Sequence, residues 1–114
     1  HPVCCAAGLA TLNLILDEKL INSVPEKEQL FRRYLTNPHI KEIRGKGLML
    51  ALQLDTFEHV EAISKRCVDN GVIVDWFLHC DTAIRIAPPL VITPSEIEQA
   101  CQVISEAIDY VFES

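Results

Sequence analysis

Apolar and polar positions change period several times along the chain, and each change marks an element. From Val3 to Leu16 apolar residues fall on nearly every helical face, so a helix here must be buried on several sides. Pro2 suits its first turn, and charge returns over Asp17–Leu20. Ser23-Val24-Pro25-Glu26 has the spacing of a capping box with an early proline. It predicts a second helix to about Leu35, with Leu30 and Tyr34 on its buried side and Phe31 a candidate beside them; Asn37-Pro38 ends it. The first β region covers Ile40–Leu54, where Leu48, Leu50, Leu52 and Leu54 alternate with Met49, Ala51 and Gln53. Gly45-Lys46-Gly47 interrupts it and reads as a bend or bulge between strand segments. Thr56–Asn70 is helical by pattern, with Val60, Ile63 and Cys67 on one stripe and Gly71 placed for a left-handed stop. Val72-Ile73-Val74 reads as a short buried strand and Trp76–Asp81 as a connection. Ile84–Thr93 reads as a strand leaving through Pro88 and Pro89. Thr93-Pro94-Ser95-Glu96 is a second capping box, followed by Ile97, Ala100, Cys101, Ile104, Ile108 and Val111 on one helical face. This order predicts an α+β domain with helices covering a small sheet.

The Ile84–Thr93 strand carries the one charged side chain that stands out. Alternation sends Ile84 and Ile86 to one face and Arg85 to the other, beside the small Ala83 and Ala87. An arginine at a strand exit, with rigid chain beyond, is placed to hold a carboxylate in its planar fork. A solvated surface arginine, or half of a structural ion pair, accounts for the same residue. Gly45-Lys46-Gly47 lacks the wider spacing and the following Ser or Thr of a phosphate loop. His79-Cys80 has no second pair at metal-ligand spacing, so no metal is expected.

At 114 residues, 49% hydrophobic and 23% charged, the composition is that of one globular domain. A net charge of −6 argues against a nucleic-acid partner. The Val3–Leu16 stretch is too short and too polar to span a bilayer. Five cysteines without a CxxC pair indicate reduced thiols and a cytoplasmic location. A start at His1-Pro2, with neither initiator methionine nor signal sequence, leads to the expectation that the chain was cut from a longer one.

Four stretches together carry a family resemblance. They are His1-Pro2-Val3-Cys4-Cys5-Ala6-Ala7-Gly8-Leu9-Ala10-Thr11-Leu12, Ile43-Arg44-Gly45-Lys46-Gly47-Leu48-Met49, Gly71-Val72-Ile73-Val74 and Ile84-Arg85-Ile86-Ala87-Pro88-Pro89-Leu90. In this order they resemble the C-terminal small domain of class III, pyridoxal-phosphate-dependent aminotransferases, over nearly the whole chain. The resemblance implies a small, mostly antiparallel sheet covered by helices, the C-terminal domain of a fold type I transferase. It implies the ornithine, acetylornithine and 4-aminobutyrate group, homodimers acting on amino acids and 2-oxo acids. In that group the arginine matching Arg85 binds a substrate carboxylate. The family's Schiff-base lysine, its acidic partner for the pyridine nitrogen and its phosphate donors lie upstream, in a large domain that this chain lacks. His1 would directly follow the phosphate-contacting run, and Lys46 matches no lysine role. The missing large domain and the second subunit are therefore the expected partners, and the chain alone is expected neither to bind pyridoxal phosphate nor to catalyse. Two other readings compete: a free-standing amino-acid-binding regulatory module, and the same fold with decarboxylase or aminomutase chemistry.

Overall fold

Four antiparallel strands in the order β1-β2-β4-β3 form one sheet, and three helices cover one of its faces. The computed structural model describes all 114 residues. Strands β1 (Glu42–Lys46) and β2 (Met49–Gln53) form a hairpin, as do β3 (Asp75–Phe77) and β4 (Cys80–Ile86). Helices α2 (Val24–Tyr34), α3 (Phe57–Asp69) and α4 (Pro94–Glu113) supply the covering layer. Helix α1 (Pro2–Asp17) stands apart from it.

The core follows the apolar periods. Leu50, Leu52, Leu54, Ile84 and Ile86 line the covered face of the sheet, and Phe31, Val60, Ile63, Cys67, Ile97, Ile104 and Ile108 meet them from the helices. Phe31 is the fully buried residue of α2, while Leu30 and Tyr34 pack at the edge of the core. Helix α4 starts as its sequence predicts: Thr93 Oγ1 accepts from the Glu96 amide, and Glu96 Oε2 accepts from the Thr93 amide at 2.8 Å.

Three sequence expectations are corrected. No capping box forms at Ser23, because the preceding 3-10 turn (Leu20–Ser23) already places that residue in helical backbone; its hydroxyl donates back to Leu20 O instead. Gly45-Lys46-Gly47 lies in a full chain reversal: Gly47 and Leu48 form a two-residue turn, Gly47 taking φ +61° first. The third strand is Asp75–Phe77, not Val72–Val74. Val72 and Val74 tuck against the core while Ile73 points to solvent, so this segment is a packed connection; Trp76–Cys80 turns the next hairpin.

Helix α1 has no buried residue, and the element it packs on is the short 3-10 turn. It lengthens the molecule to 49 Å and raises the radius of gyration to 15.6 Å. About 13 Å is usual for a compact chain of this length. No helix is long and apolar enough to cross a membrane.

Candidate functional site

The face of the sheet away from the helices carries one row of side chains across all four strands. Register pairs Arg44 with Ala51, Ala51 with Arg85, and Arg85 with Asp75. Directly opposed residues on antiparallel strands share a face, so the row reads arginine, alanine, arginine, aspartate. Arg85 is 47% exposed, and its ionic partner is Asp75, with Nη2 and Oδ2 3.8 Å apart. That spacing is too long for a hydrogen bond, so the guanidinium donors are free. Pairs of this kind contribute about 0–1 kcal/mol.

Arg85 lies on the wall between two depressions. One, of about 660 Å³, lies over the exposed sheet face between the two hairpins, with Arg44, Met49, Ala51, Phe77, Leu78, His79 and Cys80 around it. The other, of about 590 Å³, lies where β4 runs into Pro88-Pro89, against Val72–Val74 and the first turns of α4. The open space beside Arg85 is thus over Ala51 and toward the exposed Ala87, not at Ala83, which is fully buried. On the β3 side the register slips, Trp76 pairing with Ile84 but Phe77 with Cys80, which leaves residues 81–83 as a bulge against β3, while β2 still pairs Gln53 with Ala83.

Two tethers hold the strands that carry the arginines. Glu28 on α2 accepts from the Gly47 amide at 2.6 Å and from Arg32 Nε at 3.0 Å. Arg32 in turn donates to Ile43 O and Gly45 O at 2.8 and 3.0 Å. The Gly47 amide first, and then Arg32, keep the Glu28 carboxyl below its ordinary pKa. Lys27 Nζ donates to Leu90 O at 2.5 Å, fixing the chain just beyond the two prolines. The Glu28–Arg32 pair sits at helical i,i+4 spacing, a signal present in the sequence but pointing only to a surface pair until the hairpin is in place.

The other singled-out residues lie elsewhere or play smaller parts. His1 caps α1, its Nδ1 accepting from the Val3 amide at 3.3 Å, and it is exposed and not brought to Arg85. Lys46 is an exposed residue at the end of the first hairpin. His79 and Cys80 sit at the second hairpin, where Arg44 Nη2 lies 3.4 Å from Cys80 Sγ. No three metal-ligating side chains converge anywhere. None of the lysines is buried, and Ser64 is the sole buried polar residue.

Comparison with known proteins agrees with this architecture. Residues 1–108 match the family described as aminotransferase class III. An acetylornithine aminotransferase of Caldanaerobacter subterraneus subsp. tengcongensis is 32% identical over 97% of this chain and 29% of its own length. An ornithine aminotransferase 2 of Staphylococcus aureus is 36% identical over 99% of this chain and 27% of its own. Among solved structures, the ornithine aminotransferase of Toxoplasma gondii, with PLP at partial occupancy in its active site, superposes with a TM-score of 0.82. It is 31% identical, over 98% of this chain and 28% of that one. The chain thus spans less than a third of the length of these relatives.

Proposed function

The chain belongs to the class-III aminotransferases, and from that premise we propose that it is the C-terminal small domain of a pyridoxal-phosphate-dependent enzyme. That enzyme moves an amino group between an ω-amino acid and a 2-oxo acid, and Arg85 holds a substrate carboxylate. The observation that supports Arg85 is its guanidinium: fixed at the end of β4, facing open space, with its one counter-ion 3.8 Å away. A carboxylate arriving in plane takes two charge-assisted bonds that Asp75 does not make. Pyridoxal phosphate, bound by the remainder of such an enzyme, supplies the electron sink. This chain supplies substrate binding and orientation.

The large domain and second subunit of a homodimer are the partners in this reading. Helix α1, apolar on nearly every face yet with no buried residue, is the surface that such a partner would cover. The test is transamination by the full-length protein carrying this chain, with a panel of ω-amino donors and 2-oxoglutarate. No amino transfer to any 2-oxo acid would overturn the reading.

A further inference from the structure

We propose that Arg32 closes the longer open edge of the sheet and so keeps β1 from pairing with the β1 of a second copy of this chain. Neither the role of Arg85 nor the aminotransferase activity enters it. The order β1-β2-β4-β3 leaves β1 and β3 as edge strands. β3 has three residues and slips register against β4, which makes it a poor template for a further strand. β1 has five residues and pairs continuously with β2. Its hairpin closes through a two-residue turn, so Lys46 and Met49 exchange hydrogen bonds and the pattern alternates from there. Glu42, Arg44 and Lys46 thus turn their backbone groups toward β2, while Ile43 and Gly45 turn theirs outward.

Arg32 sits where the next strand would lie. Its Nη1 donates to Ile43 O at 2.8 Å and its Nη2 to Gly45 O at 3.0 Å, the two outward carbonyls. Glu28 holds the guanidinium from behind, with Oε1 3.0 Å from Nε, and is itself fixed by the Gly47 amide. A strand adds to β1 only by displacing both of the arginine's bonds. The charges of β1 select a second copy as the occupant. In a two-fold antiparallel pair centred on Arg44, Ile43 of one copy lies opposite Gly45 of the other, and their outward amides and carbonyls match. Glu42 then faces Lys46 at each end, opposite charges directly across the pair. Arg44 meets its own copy at the centre, each with Glu42 of its own strand 3.5 Å away, and that like-charge contact limits the strength of the pairing.

The experiment titrates a capped, dye-labelled peptide of Lys41–Gly47, the β1 edge of a second copy, with the full-length protein carrying this chain, and reads fluorescence anisotropy. Wild type should bind it weakly. Arg32→Ala should bind it roughly tenfold tighter or more, since the guanidinium no longer competes for the two carbonyls. Arg32→Lys, with a point charge in place of the planar fork, should fall between them, and it carries the test if Arg32→Ala fails to fold. A peptide N-methylated at the residues matching Ile43 and Gly45 should lose the gain, and so should one with Glu42 and Lys46 exchanged. Leu52→Ala, which loosens the core without touching the edge, should bind no better than wild type. Equal binding by wild type and both Arg32 variants overturns the proposal, as does a gain in Leu52→Ala or equal binding of the N-methylated peptide. Equal binding of the charge-exchanged peptide overturns the second copy as the occupant.

Discussion

Asp75 stands directly across the strand pair from Arg85, yet its carboxylate comes no closer than 3.8 Å to the guanidinium. A counter-ion at that distance steadies the arginine without using its donors. Arg85→Ala in the full-length protein should therefore lower kcat/KM by about ten- to a hundredfold for donors with an α-carboxylate, at 1.5–3 kcal/mol per charge-assisted bond. Arg85→Lys should recover only part. Asp75→Asn should change the same parameter in the opposite direction, by about fivefold at most, since an exposed pair contributes under about 1 kcal/mol. Steady-state kinetics with paired donors, alongside thermal melts, decide this. An equal loss for all donors, with a sharp fall in Tm, would make Arg85 structural.

Thiol labelling reads the covering of α1. Cys4 and Cys5 are exposed on that helix, whereas burial pushes Cys67 to about 11 and Cys101 to about 12. In the isolated chain at neutral pH, Cys4 and Cys5 should react with an aromatic disulfide in the fast phase, and Cys67 and Cys101 only on unfolding. In the full-length protein Cys4 and Cys5 should become protected as well. Fast labelling of both in the full-length protein would mean that α1 stays bare.

Acid should loosen the hairpin that carries Arg44. The carboxyls of Glu28, Asp55 and Glu96 all lie below their ordinary pKa, held by Gly47, His59 and Thr93 respectively as the first cause. A group lowered by folding stabilises above its unfolded pKa, and that contribution disappears as pH falls through the folded value. Tm should thus be level near neutrality and fall as pH drops below about 4, the usual carboxylate range. Glu28→Gln should lower Tm at pH 7 and flatten part of that fall. A Tm for Glu28→Gln that tracks wild type at every pH would show that the tether does not matter.

Two core substitutions should move stability in opposite directions. Leu52, fully buried on the covered face of the sheet, should cost about 2–5 kcal/mol as Leu52→Ala. Ser64 is buried on α3 with no partner for its hydroxyl. Ser64→Ala removes an unsatisfied group and adds helix propensity, and should stabilise by about 1 kcal/mol. Denaturant melts of both variants give the signs directly.

What the sequence made legible was whatever local chemistry decides. Thr93-Pro94-Ser95-Glu96 needs only its own atoms to form a cap, and the Leu48–Leu54 alternation needs only one buried face. Ser23 has the same signature but follows a 3-10 turn, so its context overrides its spacing. Val72–Val74 is β-branched and half buried, yet the pairing edge of β4 is taken by Asp75–Phe77, a choice made by tertiary register. Arg85 could be singled out because proline and alternation frame it. Arg44 could be seen to share its face only once the Gly47–Leu48 reversal fixed the pairing of β1 with β2. Asp75 lay within no recognised strand, so its position opposite Arg85 had no sequence signal.

The near-isolation of α1 has a kinetic side. Its link to the rest runs through Lys19, a non-glycine residue at φ +50°, and the 3-10 turn, and no core residue precedes Phe31. Residues of the first helix therefore take no part in the cooperative unit that folds around the sheet. Substitutions along its length should leave both limbs of a chevron plot where they are, while Phe31→Ala shifts the equilibrium between them. For this chain, folding is the business of the segment from α2 onward, which holds every buried core residue.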